Sequence, residues 1–271
     1  MCNNLLQFAH VYAWAREHGR SVMSMRFSYK YPFFNITHSR FVSFPLYLFA
    51  KFAAALRLLT TVSYKHAEFD PEELEQQIIS HRHVVVSGWY VRWYDLFLKY
   101  RADICDLFQI DQQYKDVVRE KMEELERPSN SNSNTPILRL GVHVRRGDYA
   151  QWKDGIYCYD DETYASHINR FAEFHSDKEI HVYLSSNDPL VKEEIFQSLC
   201  SHVHIHFLAG NVPEDLYMLS ECDYLIGPPS TFSLVAAMYR DIPLYRMDTA
   251  DAMNMTTEGF RLFDYWFRRI I

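Results

Sequence analysis

The sequence predicts an α/β protein of two domains, and three observations carry that prediction. Strands and helices alternate regularly from Leu138 to Met247, each pair joined by a short polar loop, which is the pattern of a parallel sheet covered on both faces. The tract Arg127-Pro-Ser-Asn-Ser-Asn-Ser-Asn-Thr-Pro136 cannot contribute to a core and reads as a linker. A chain of 271 residues is also long for one core and comfortable for two. The expected division is a first domain over 1–128, a linker over 129–136 and a second domain over 137–271.

In the first half, Leu5, Phe8, Ala9, Tyr12 and Ala13 recur at helical spacing within Asn4–His18, and Gly19 is a helix stop. Ser21 to Met25 reads as a strand. The apolar stretch from Tyr29 to Leu59 is interrupted by Pro32 and Pro45, with a helix expected from Leu46 to Leu59, as a lid or a packing insertion. Asp70-Pro71-Glu72-Glu73 is an N-cap followed by proline at the first helical position, opening a helix to about Ser80. Val84 to Ser87 reads as a buried strand closed by Gly88. Trp89, Tyr90, Trp93 and Tyr94 then lead an aromatic helix through Phe97 and Tyr100; core packing is favoured over sugar stacking at that spacing. A charged helix spans 111–126.

In the second half, strands are expected at Leu138–Val144, Ile180–Leu184, Val203–Phe207, Tyr224–Gly227 and Pro243–Met247. Helices are expected from Asp161 to Phe174, capped by Asp160 or Asp161, and then ending near Leu199, Glu221 and Tyr239.

Composition narrows the function. A net charge of -7 argues against a nucleic-acid binder, so local basic clusters read as sites for small anionic ligands. The five cysteines are odd in number and lack zinc-site spacing, which reads as reduced thiols in a cytoplasmic protein. No apolar run reaches the ~20 residues needed to span a bilayer. Lys51 and Arg57 lend the apolar stretch only limited basic character for membrane-surface contact. Neither G-x-G-x-x-G nor a Walker lysine loop is present.

The richest stretch is Leu138-Arg-Leu-Gly-Val-His143-Val-Arg145-Arg146-Gly147-Asp148-Tyr149. Alternation along a strand puts His143 and Arg145 on one face, and the open α/β sheet gathers ligands beyond the carboxyl ends of its strands. Guanidinium groups there suit phosphate, against the plainer reading of a surface salt-bridge cluster. Ser230 and Thr231 open a helix, where free N–H groups and the dipole favour an anion, although simple capping also explains them. Asp215, in the first turn of its helix, either complements the dipole or accepts from the N1–H and N2–H edge of a guanine.

In order along the chain, His143-Val-Arg145-Arg146-Gly-Asp148-Tyr149, Tyr183-Leu-Ser-Ser-Asn187-Asp188-Pro189, Asp215 and Asp223-Tyr-Leu-Ile-Gly-Pro-Pro-Ser230-Thr231-Phe232-Ser233 resemble the α-1,2-fucosyltransferases and the wider group containing the α-1,6- and protein O-fucosyltransferases. Asn3-Asn4-Leu5-Leu6-Gln7-Phe8-Ala9 is similar to that family's opening helix, and Gly88-Trp89-Tyr90 to its G-Y-F element. The family's first strand and Gly-Gly-Leu turn would precede Cys2, where the family has glycine, so the start codon is misplaced or the first domain lacks its leading strand.

The resemblance implies two Rossmann-like domains facing across a cleft, the GT-B arrangement, with GDP-fucose held mainly by the second. It implies His143 and Asp215 on the guanine, Arg145 on the diphosphate, and Arg146, Asn187, Asp188, Ser230, Thr231 and Phe232 completing the donor pocket, with Asn3 approaching from the first domain. Arg145 would stabilise the leaving group without a metal or other cofactor; Asp148 and Asp154 are candidates for the base, with Asp148 alternatively orienting an arginine. The implied reaction is inverting transfer to an oligosaccharide or glycolipid acceptor, a terminal galactose taking an α-1,2 linkage, with peripheral contact at the inner face of the membrane through that acceptor. Use of another GDP-sugar, or binding without catalysis, are the alternatives.

Overall fold

The computed structural model describes residues 1–65, 70–127 and 136–269. It divides into two compact units, Met1–Asp111 and Gln112–Ile271. The polar tract expected as a linker lies outside the described residues apart from its ends, and the division falls before the charged helix rather than after it.

The first unit contains α1 (Cys2–Glu17), α2 (Phe44–Ala55), β1 (Thr60–Ser63), α3 (Pro71–Ser80), β2 (Val84–Ser87), α4 (Tyr94–Lys99) and α5 (Arg101–Leu107). Helix α1 buries the expected stripe of Leu5, Phe8, Ala9, Tyr12 and Ala13, and also Leu6, His10 and Trp14, so it is enclosed on nearly every side. Phe8, Phe27, Phe34 and Phe108 pack edge-to-face or tilted around it, at centroid distances of 5.1–6.3 Å. The helix at 71–80 begins and ends where the cap signature put it: Asp70 accepts from Glu72 N and Glu73 N.

β1 and β2 pair in parallel, Thr60 opposite Val84. Gly88 follows β2 at φ +110, and a Cβ there would lie 2.2 Å from the backbone of Tyr64, so only glycine lets the two chains pass. Trp93 packs on Trp14 and Tyr64 in the core, at 5.6 and 5.9 Å between rings, in line with the packing reading.

Three expectations for this unit are corrected. Ser21 to Met25 forms no strand; it has no ladder partner and is held by a bond from Ser24 N to Phe41 O of 2.8 Å. The aromatic helix starts only at Tyr94, because the Gly88 turn and the bond from Tyr90 N to Tyr64 O hold the preceding residues irregular. The apolar helix ends at Ala55, and Thr60 leaves it to become β1. In that helix Ala50 and Ala53 face inward, whereas Phe49 and Phe52 are 65% and 61% exposed.

The second unit contains α6 (Gln112–Leu125), β3 (Ile137–Val144), α7 (Asp161–Phe174), β4 (Glu179–Ser186), α8 (Glu193–Leu199), β5 (His204–Phe207), α9 (Val212–Ser220), β6 (Tyr224–Gly227), α10 (Thr231–Arg240), β7 (Leu244–Arg246) and α11 (Phe263–Phe267). Its sheet is parallel throughout, ordered β5-β4-β3-β6-β7. Because helices cover both faces, the central strands are buried on alternate and intervening residues alike: Leu140, Gly141, Val142, His143 and Val144 are all inside. Asp160 caps α7 by accepting from Thr163 N at 2.9 Å. Asn211 and Glu214 form a reciprocal capping box on α9.

All five cysteines are free thiols. No helix among the described residues is long and apolar enough to cross a membrane.

Candidate nucleotide site at the carboxyl edge of the second sheet

β3 and β4 end side by side, with His143 registered against Ser185. The strand order reverses next to this pair, between β3 and β6: the chain runs outward from β3 through β4 to β5, then crosses back to β6 and β7, and the crevice beyond the strand ends at such a reversal is where a parallel α/β sheet takes ligands.

His143 is 3% exposed, its Nδ1 lies 2.8 Å from Ser233 Oγ in α10, and its ring sits 5.0 Å from that of Phe232. Burial, with the nearby Arg145 charge, brings its pKa down to about 3, so the imidazole is neutral at physiological pH. Across the β3–β4 pair, Ser185 Oγ donates to Asp215 Oδ2 at 2.8 Å. Burial pushes the Asp215 carboxyl up to about 7, against the lowering effect of that hydrogen bond. A carboxyl poised between protonation states in the first turn of a helix can answer to a ligand's hydrogen-bonding edge.

Arg145 and Arg146 part company. The backbone N–H of Arg145 donates to Tyr164 Oη at 3.1 Å, and its guanidinium pairs with Asp148 at 2.8 Å and lies 5.5 Å from the Tyr149 ring. Asp148 is 63% exposed, so this contact is one that an anionic ligand can displace. The Tyr149 hydroxyl donates to the Pro229 carbonyl, which brings Arg145 alongside the residues that open α10. There Ser230 caps the helix, accepting from Phe232 N at 3.2 Å, with Thr231 as the first helical residue. Dipole and guanidinium thus favour negative charge in the same place.

Arg146 points elsewhere. Its guanidinium bonds Asp161 at 2.5 Å and the Tyr159 carbonyl at 2.9 Å, with Asp188 at 3.5 Å, and is 16% exposed. Asn187 clamps the Arg146 backbone from both amide atoms, at 3.0 and 3.3 Å. Asp188 also accepts from Leu190 N at 2.9 Å. Gly147, at φ +60, lets the chain turn beneath that clamp, where a Cβ would lie 2.9 Å from the Asn187 amide. Arg146, Asn187 and Asp188 therefore shape the loop that presents Arg145, and their polar groups are engaged with protein.

Asn3 lies exposed at the start of α1 in the first unit, and Asp154 is exposed in a turn where it and Lys153 both have positive φ. Ser185, Ser233, Tyr149 and Trp152 were not singled out by sequence. Trp152 packs its ring 4.8 Å from Tyr149 and is 38% exposed, leaving an aromatic surface beside Arg145. Tyr149, Ser185 and Ser233 each lie within one of the three motifs, which was a signal to find them, whereas Trp152 lies outside all three.

Among solved structures, a mutant of Arabidopsis thaliana FUT1 in complex with GDP superposes with a TM-score of 0.60 at 15% identity, covering 97% of this chain and 71% of that one. POFUT1 in complex with GDP-fucose gives 0.46 at 12% identity, covering 64% and 55%. A family 9 glycosyl transferase from Veillonella parvula DSM 2008 gives 0.38 at 10% identity, covering 69% and 50%. The first of these establishes a shared fold. No curated protein matches the sequence. The model of glycosyl transferase family 11 does match it over residues 66–245, more than half of the chain and including the carboxyl ends of β3, β4, β5 and β6, and the protein therefore belongs to that family, the α-1,2-fucosyltransferase family.

Proposed function

We propose that this protein transfers fucose from GDP-fucose to a glycan hydroxyl, with inversion at the anomeric carbon and a terminal galactose taking an α-1,2 linkage. The observation that carries the reading is the convergence of His143, Arg145, Asp215 and Ser230 at one sheet edge. Family membership and the GDP bound in the FUT1 structure support the choice of nucleotide.

Asp215, as carboxylate, accepts from guanine N1–H and N2–H; neutral His143 contributes a ring nitrogen to the same base. Arg145 leaves Asp148 for the diphosphate. As the acceptor oxygen attacks C1, the bond from C1 to the β-phosphate oxygen breaks and GDP departs with the bonding pair. Arg145 and the α10 N-terminus stabilise the charge that develops there. The acceptor hydroxyl proton passes to a base or to water. The scheme calls on no metal: Arg145 and the α10 N-terminus supply the positive charge at the donor, while Asp161 and Asp188 stay engaged with Arg146. Asp148 holds Arg145 in place until the donor arrives.

Calorimetry with GDP and transfer of label from GDP-fucose to galactose-terminated oligosaccharides test the proposal. Saturable GDP binding with fucosylated product is expected. Absence of GDP binding overturns the site; binding with transfer only from another GDP-sugar overturns the donor.

A further inference from the structure

At the opposite, amino edge of the same sheet, four side chains that the proposed reaction does not use face one another. Glu179 and His181 lie two apart on β4, so they share a face, and His181 is registered against His204 on the edge strand β5. Glu179 Oε1 is 3.5 Å from His181 Nε2 and 3.4 Å from His204 Nε2. One ligating atom from each of the three lies within 4.8 Å of the others. From these contacts we infer that Glu179, His181 and His204 form a binding site for a divalent transition ion of the zinc class.

The distances fit the ion. Zinc binds imidazole nitrogen and carboxylate oxygen at roughly 2.0–2.2 Å, so two ligands of a tetrahedral site sit about 3.3–3.5 Å apart. Both contacts to Glu179 already have that spacing. The two nitrogens and one oxygen are the donor set that suits zinc over magnesium or calcium.

The surroundings fit as well. A metal-bound histidine commonly donates its other N–H to a fixed acceptor, which orients the ring. His181 is 4% exposed along its side chain, and its Nδ1 lies 2.9 Å from Nε2 of His206, the next inward residue on that face of β5. With Nε2 on the metal, Nδ1–H donates to His206. His204 is 58% exposed and Glu179 32%, so the ion would enter from solvent and keep water in its fourth position. Glu126, whose charge acts on both His181 and His206, adds negative potential to this face.

The ion would tie β4 to the edge strand β5, which has no partner on its outer side among the described residues. Ser185, at the donor end of β4, is about 13 Å farther along the strand at ~3.3 Å per residue, so the metal takes no part in the transfer chemistry.

The test uses the full chain, stripped with chelator and titrated with Zn²⁺ by equilibrium dialysis with elemental analysis, and with Co²⁺ by visible absorption. One equivalent of bound Zn²⁺ is expected, with a Co²⁺ d–d band that Zn²⁺ displaces and a rise in thermal midpoint on loading. His204→Ala and Glu179→Gln should weaken binding at least tenfold, and His206→Ala about 10- to 100-fold at unchanged stoichiometry. The exposed His83→Ala control should bind as wild type, and all variants should keep their GDP affinity. Failure of the wild type to bind, or wild-type affinity in both His204→Ala and Glu179→Gln, overturns the site. Loss of GDP binding alone would overturn the nucleotide site and leave this one standing.

Discussion

The hydroxyl of Ser185 donates to a carboxylate oxygen of Asp215 at 2.8 Å, joining the end of β4 to the first turn of α9. With burial holding the Asp215 carboxyl up to about 7, the unliganded protein at neutral pH is a mixture of protonated and ionised forms. Guanine requires the ionised form, so binding releases a proton. Affinity for GDP-fucose, whose esterified β-phosphate does not titrate near neutrality, should rise as pH increases through about 7. Asp215→Asn should bind more weakly and lose the slope. The sign for folding is opposite: the folded-state pKa lies above the usual carboxylate value of 3.8, so this group's stabilising contribution is full below about 4 and is lost as pH rises to about 7. Calorimetry and denaturant titrations at several pH values check both slopes.

Adjacent arginines should give opposite phenotypes. Among the described residues the Arg145 guanidinium meets the exposed Asp148 and the Tyr149 ring, so Arg145→Ala should change stability by no more than ~0.5 kcal/mol. It should nevertheless weaken nucleotide binding by about 1.5–3 kcal/mol, roughly 10- to 150-fold. Arg146→Ala leaves Asp161 and Asp188 largely buried without their cation, at a cost of about 3 kcal/mol read as a lower unfolding midpoint.

The contrast between those arginines also marks how far sequence reasoning reached. The apolar run ending in Gly147 correctly put His143 near the carboxyl end of β3 with Arg145 just past it, because a strand's pattern is local. Asp70, Asp160 and Ser230 were legible as caps for the same reason: each accepts from an N–H two or three residues away. The anchoring of Arg146 was hidden, since its partners Asp161 and Asp188 reach it only through tertiary folding. So was β1, whose pairing with β2 is non-local. Ser21 to Met25 had strand propensity and no partner, and propensity without pairing makes no strand.

Replacing Asp148 separates two roles. As the group that holds Arg145, it can become Asn with less than tenfold loss of transfer, because an exposed ion pair is worth about 0–1 kcal/mol. As the general base its loss would lower kcat by about 10²–10⁴ with donor affinity unchanged. We expect the first outcome from steady-state kinetics of Asp148→Asn.

Glu126 tests where the second unit begins. It stands just beyond the end of α6 and accepts from Arg139 through both oxygens, at 2.7 and 2.8 Å, and from the Tyr183 hydroxyl at 2.7 Å. Burial alone would raise its pKa, but those hydrogen bonds outweigh it and hold the carboxyl below its usual 4.5. This stabilisation is therefore present above about 4.5 and lost as pH falls further, and Glu126→Gln should flatten the acid limb of the stability profile. Glu126→Ala strands a partly buried guanidinium and should cost about 3 kcal/mol. A second-unit fragment starting at Gln112 keeps this clamp; one starting at Ile137 leaves Arg139 and Tyr183 without it. If the unit folds around α6, the longer fragment should unfold cooperatively and the shorter should not. Equal cooperativity in the two, followed by circular dichroism in urea, would show that the helix is dispensable to the unit.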